Sequence, residues 1–232
     1  MKAGGLKPRA ELELDRFALD PYCRLYLPLW KLDGDSFMSK DAYGHLCTRY
    51  GGGTPPAAHW TPQGWSFDGV DDYVDAGNRA SLNITGAITI EAWVQPTIVN
   101  SWSQNSVAIK FATEKYQWKL GLTDQAQLRF DVFKDQTTVI SIYGGTLIAD
   151  KWHYLVATVG AGKATIYLDG TYVIYASFPY SIQDTDPDLL IGYDPLNDRY
   201  FNGTIPLVLI YSRALTPQEI LDHYIIGKEM FG

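Results

Sequence analysis

The sequence predicts an all-β chain folded as an antiparallel β-sandwich with one short C-terminal helix. Three observations carry that prediction. Short runs rich in Val, Ile, Thr, Tyr and Phe recur along the chain, several of them alternating apolar and polar residues with the period of a half-buried strand. Gly, Pro, Asn and Asp punctuate these runs. The one strong helix-start signal falls after the last run, whereas a parallel sheet would interleave helices with strands. At 232 residues the chain fits one such domain, because sandwiches of about 200 to 250 residues commonly form a single unit.

The elements follow in order. Residues 1–20 form an N-terminal arm whose Leu12, Leu14, Phe17 and Leu19 give it some apolar content without a core of its own. Such an arm is expected to pack on a partner or neighbouring subunit. The domain proper spans 21–232. Its first strand lies around Leu25, Leu27 and Leu29. In 88–94, Ile88, Ile90, Ala92 and Val94 alternate with Thr89, Glu91 and Trp93, which gives a strand with two different faces. Further strands are expected at 119–122, 128–133, 137–143 and 152–159. Those at 164–168 and 171–175 are joined by Asp169-Gly170 alone, a pair suited to a tight primed hairpin turn. Strands at 189–192 and 205–211 complete the sheets. Thr216, Pro217 and Glu219 then make a capping box with Pro at the first helical position. The helix is expected over about 217–226, with Gly227 as its stop.

Composition excludes several classes. The chain carries 19 basic and 26 acidic residues, a net charge of −7. A nucleic-acid binder needs a clustered basic face, and an anionic membrane surface has the same requirement. No apolar run approaches the roughly 20 residues that span a bilayer. The first residues lack the continuous apolar stretch of a secretory signal, so the expectation is a virion component or a mature secreted form, working outside the cell or on a particle surface. Cys23 and Cys47 are too few for a disulfide framework and are either one bridge or two free thiols. The 16 Tyr and 7 Trp among the aromatics suit half-buried sheet faces, interfaces and sugar platforms.

The order of motifs resembles a known family. Trp65-Ser66-Phe67-Asp68-Gly69-Val70-Asp71-Asp72-Tyr73-Val74 is similar to the F-D-G-x-D-D-Y-V segment of laminin G-like domains in the concanavalin A-like lectin/glucanase superfamily. The likeness continues through 88–94, Lys151-Trp152-His153-Tyr154, Ile166-Tyr167-Leu168-Asp169-Gly170 and Phe201-Asn202-Gly203-Thr204-Ile205, covering roughly 22–227. It implies a jelly roll of two stacked, curved sheets with a loop-lined rim, and binding or adhesion more often than catalysis. It also implies a structural Ca2+ between the turn near Asp41 and a late-strand Asp, where this chain has Pro206.

Residues that carry chemistry are sparse. The E-x-D-x-x-E of the related glucanases is missing, and His45, His59, His153 and His223 are scattered, so no enzyme is expected. Calcium wants loop carboxylates and carbonyls, for which Asp68, Asp71 and Asp72, then Asp194 and Asp198, are the candidates besides Asp41. A glycan site needs exposed aromatic planes with amides or carboxylates beside them. Trp102 and Asn105 in one polar loop, and Tyr180, Tyr193, Asn197 and Tyr200 in the late loops, meet that need. Trp30, Trp93, Trp118 and Trp152 are expected on strands or in the core. The reading is a recognition or adhesion module that binds a glycan or glycoconjugate through rim loops. Its alternative is a decoration or fibre-associated protein whose arm contacts a capsid or other assembly protein.

Overall fold

The computed structural model describes residues 9–30, 36–51, 59–61, 63–100 and 106–232. Two antiparallel sheets of eight strands each face one another. The first runs Thr171–Ser177, Lys163–Leu168, His153–Gly160, Ile88–Pro96, Asn202–Tyr211, Gly64–Asp68 and His59–Thr61, and Cys23–Pro28 also pairs with Asn202–Tyr211. The second runs Val139–Gly144, Leu128–Phe133, Lys115–Leu122, Ser106–Ala112, Leu189–Ile191, Tyr73–Asp75, Leu46–Tyr50 and Ser36–Met38. The sandwich and its strand-rich middle match the sequence expectation. At the Asp169-Gly170 turn both residues take positive φ, 51° and 74°, as a primed hairpin requires.

Between the sheets lies a continuous apolar core that includes Ile90, Ala92, Trp118, Leu120, Phe130, Val132, Leu155 and Ile191. Each fully buried Leu, Ile or Phe contributes about 1.5–3 kcal/mol of transfer free energy. The alternation read in 88–94 is real, but both of its faces are covered. Ile88, Ile90, Ala92 and Val94 enter the inter-sheet core, while Trp93 joins a second cluster with Leu14, Tyr26, Trp30, Tyr154, Tyr211, Ile220 and Phe231 on the outer side of the first sheet.

Two helices supply that cover. The first, α1 (Arg9–Phe17), belongs to the arm, and its Leu14 is buried. The Tyr26 hydroxyl donates to Asp15 at 2.9 Å. The described arm thus folds back on its own domain, which removes the ground for expecting these residues to reach a neighbouring subunit or a capsid protein. The second, α2 (Pro217–Phe231), starts at the expected cap: the Glu219 amide donates to Thr216 Oγ1 and the Thr216 amide donates to the Glu219 carboxylate. It does not stop at Gly227. Gly227 is buried inside the helix, where the backbone lies directly against the Trp93 indole, so this glycine serves close approach rather than termination. Cys23 and Cys47 are free and buried.

Candidate functional site: a groove on the outer face of the second sheet

The outer face of the second sheet is left without a helix among the described residues. Strand alternation decides what it displays. Leu128, Phe130 and Val132 point into the core, so Arg129, Asp131 and Phe133 point outward. Asp131 lies opposite Lys119 on one neighbouring strand and Ser141 on the other. Arg129 lies opposite Gly121 and Tyr143, and Phe133 opposite Val139. These side chains line an open cavity of about 310 Å3, with Phe111 from the next strand and Asn197 and Arg199 from a rim hairpin. A second cavity of about 240 Å3 adjoins it, lined by Thr123, Asp124, Gln125, Gln127 and Tyr143. Arg129 belongs to both.

The polar groups are held in place. Arg129 Nε donates to both Asp131 oxygens at 3.0 Å. Lys119 pairs with the buried Asp194, which also accepts the Asn197 amide at 2.8 Å and the Leu196 N–H at 3.1 Å. Burial alone would raise the Asp194 carboxyl, but Lys119, Asn197 and Leu196 outweigh it and hold it below the usual carboxylate range. This knot pins the hairpin formed by Tyr193–Asp194 and Arg199–Tyr200 over the sheet. At one end of the groove Phe111, Tyr116 and Phe133 form an aromatic wall with ring centroids 4.6–5.4 Å apart. At the other, Tyr143 is 56% exposed.

The residues expected from sequence distribute unevenly. Asn197 lines the groove. Tyr193 and Tyr200 stack at 4.4 Å and extend, through Tyr73 at 4.9 Å and Tyr50 at 4.6 Å, into a ladder of four tyrosines beside it. Tyr180 joins a different cluster, edge-on to Phe178 with the Lys134 ammonium over its ring. Trp102 and Asn105 lie outside the described residues. Trp93 and Trp118 are core residues as expected.

The acidic candidates separate likewise. Asp41 is saturated by backbone N–H donors from Tyr26, Tyr43 and Gly44, so amides occupy the oxygens a cation would need. Asp194 is committed to Lys119, and the Tyr193 hydroxyl reaches Asp198 at 3.5 Å. Asp68, Asp71 and Asp72 do gather, with one ligand oxygen from each within 4.8 Å of the others. They are the residues that could hold a hard cation. Asp68 Oδ1 already accepts from Val70 at 2.7 Å. Burial, and then the neighbouring Asp68 carboxylate, push the Asp72 carboxyl up to about 6 against a lowering bond from the Asp68 N–H.

Sequence reasoning missed Lys119, Arg129, Asp131, Phe133 and Ser141. A signal was present. Arg129 and Asp131 share one parity of a strand whose other parity is wholly apolar, which marks a face turned to water.

Comparison with known proteins agrees with this fold. No curated protein matches the sequence. Among solved structures, the binding domain of botulinum neurotoxin DC in complex with rat synaptotagmin II aligns with TM-score 0.66 and 12% identity, over 88% of this chain and 51% of that one. The same binding domain in complex with SialylT gives 0.68, 13%, 88% and 51%. The binding domain of Paraclostridial Mosquitocidal Protein 1 gives 0.65, 13%, 91% and 52%. This chain therefore spans about half the length of the structures it matches, and at such identity the likeness is one of fold. A family model described as the concanavalin A-like lectin/glucanases superfamily matches residues 68–221, the greater part of the sandwich. The chain belongs to the concanavalin A-like lectin/glucanases superfamily.

Proposed function

We propose that the chain is a non-catalytic recognition module that binds glycans in the groove on the outer face of its second sheet. The composition of that groove carries the reading. Asp131 accepts from sugar hydroxyls, the Asn197 amide and Ser141 hydroxyl add donors and acceptors, and Phe111, Phe133 and Tyr143 offer ring faces to the apolar side of a pyranose. The tethered Arg129–Asp131 and Lys119–Asp194 pairs keep the polar groups preorganised. Glycoside hydrolysis needs two carboxyl groups flanking the bond. Asp131 lines the first cavity and Asp124 the second, and Asp131 is tied to Arg129 through both its oxygens, which favours binding over cleavage. Structural neighbours that are binding domains, one of them in complex with SialylT, support the same class of function, exercised at a glycan-bearing surface outside the cell.

A glycan microarray with the whole chain tests this. Binding above background is expected for a restricted set of glycans. Asp131→Asn and Phe133→Ala should each weaken it about tenfold or more, with thermal unfolding of each variant showing that the sandwich still folds at the assay temperature. An array with no binder removes the glycan reading.

A further inference from the structure

The groove gathers cations within a chain that is acidic overall. The protein carries −7, while Lys119, Arg129 and Arg199 line the first cavity with Asp131, Asp194 is paired with Lys119, and Asp124 lines the second cavity, so what matters is how each cation is held. Lys119 is committed to Asp194. Arg129 is not used up in this way. Its Nε is fixed on the two Asp131 oxygens, while its terminal nitrogens meet no acceptor among the described residues. On one side it faces Gly121, which has no side chain to cover it, and it stands where the two cavities meet. A guanidinium locked at Nε, with its outer edge free, presents a ready two-pronged donor to a planar oxyanion.

Resting on the glycan reading, we infer that the groove selects acidic glycans, and that a carboxylate or sulfate on the sugar docks against the terminal nitrogens of Arg129. A neutral sugar offers that edge hydroxyl oxygens, which accept singly and without charge, and is disfavoured against an oxyanion that accepts both prongs in a charge-assisted pair. Tyr143 lies directly opposite Arg129 on the neighbouring strand, and Phe133 lies four residues along the Arg129 strand beyond Asp131, so the charged group docks beside Tyr143 with the Phe133 ring further along the groove.

The experiment compares neutral, carboxylated and sulfated glycans on one array. Calorimetry follows on the best binder and on the same glycan with its carboxylate methyl-esterified or its sulfate removed. Acidic glycans should dominate the array, and neutralising the group should weaken binding about tenfold. Arg129→Gln should lose a similar factor for the acidic glycan and little for the neutralised one, and Arg129→Lys should recover part of it. Thermal unfolding of both variants identifies any folding defect. If neutral glycans alone bind, if the neutralised glycan binds as tightly as the acid, or if a folded Arg129→Gln binds like wild type, the inference is overturned while glycan recognition stands. If no glycan binds, both fall together.

Discussion

A β-carbon added at residue 227 would sit 2.3 Å from the Trp93 indole nitrogen. Gly227→Ala therefore tests a single packing contact. Helix propensity favours the alanine by about 1 kcal/mol, but overpacking costs about 1–3 kcal/mol, and the clash is with a fully packed ring. The variant should unfold at a lower denaturant midpoint with an unchanged m-value. Cys23 and Cys47 make a second case. Burial pushes both thiols up, Cys47 to about 12 with Asp41 adding to the effect. Neither should react with a thiol reagent at pH 8 in the native state, while both should react in denaturant. The sequence allowed bridge or free thiols here, because pairing depends on where two distant strands fall. The groove residues were hidden for the same reason: Arg129 and Asp131 are visible as a polar parity, but only the sheet order brings Lys119 and Ser141 to either side of Asp131.

Among the elements, α2 shows what local chemistry can and cannot specify. Its start was legible, since a capping box is written in adjacent residues. Its end was not, because Gly227 answers to Trp93 across the fold. Helix α1 was missed altogether, being mostly charged, with Leu14 meaningful only against the surface it enters. That surface includes a buried ion pair. His223 on α2 faces Glu91 at 3.1 Å, and the Phe17 ring stacks on the imidazole at 3.7 Å. Burial would lower the His223 pKa, but Glu91 outweighs it and raises it above the ordinary 6.5. Protonation thus stabilises docking fully below 6.5, and the contribution is lost as pH rises through the higher folded value. Wild type should lose thermal stability across that window. His223→Gln should begin lower and stay flat there, and an equal slope in both proteins would refute the assignment. Leu14→Ala should cost about 2–5 kcal/mol, read by denaturant unfolding, if α1 is an integral layer.

For the whole molecule the acidic side is governed by other groups. Arg213, with Thr216, holds Glu219 down to about 2 from 4.5, and the net effect on Asp194 is also downward. Their contributions are present above the ordinary carboxylate values and lost as pH falls through the folded ones. The Glu219 and His223 contributions should therefore coexist between the ordinary Glu and His values, 4.5 and 6.5, in a thermal-unfolding series from pH 3 to 9, with Asp72, raised to about 6, working against them as pH rises to that value. The sandwich itself was the most legible level, since strand period, hairpin turn and motif order all reported the same architecture. The location of the site was the least legible, because it rests on which of two sheet faces the helices cover.

That coverage has a practical consequence. Helices α1 and α2 pack together on the first sheet, and the groove opens from the second. A linker attached beyond Phe231 would leave from the side away from the groove, so the chain can be immobilised through its C-terminal end on a sensor surface with the groove directed into solution.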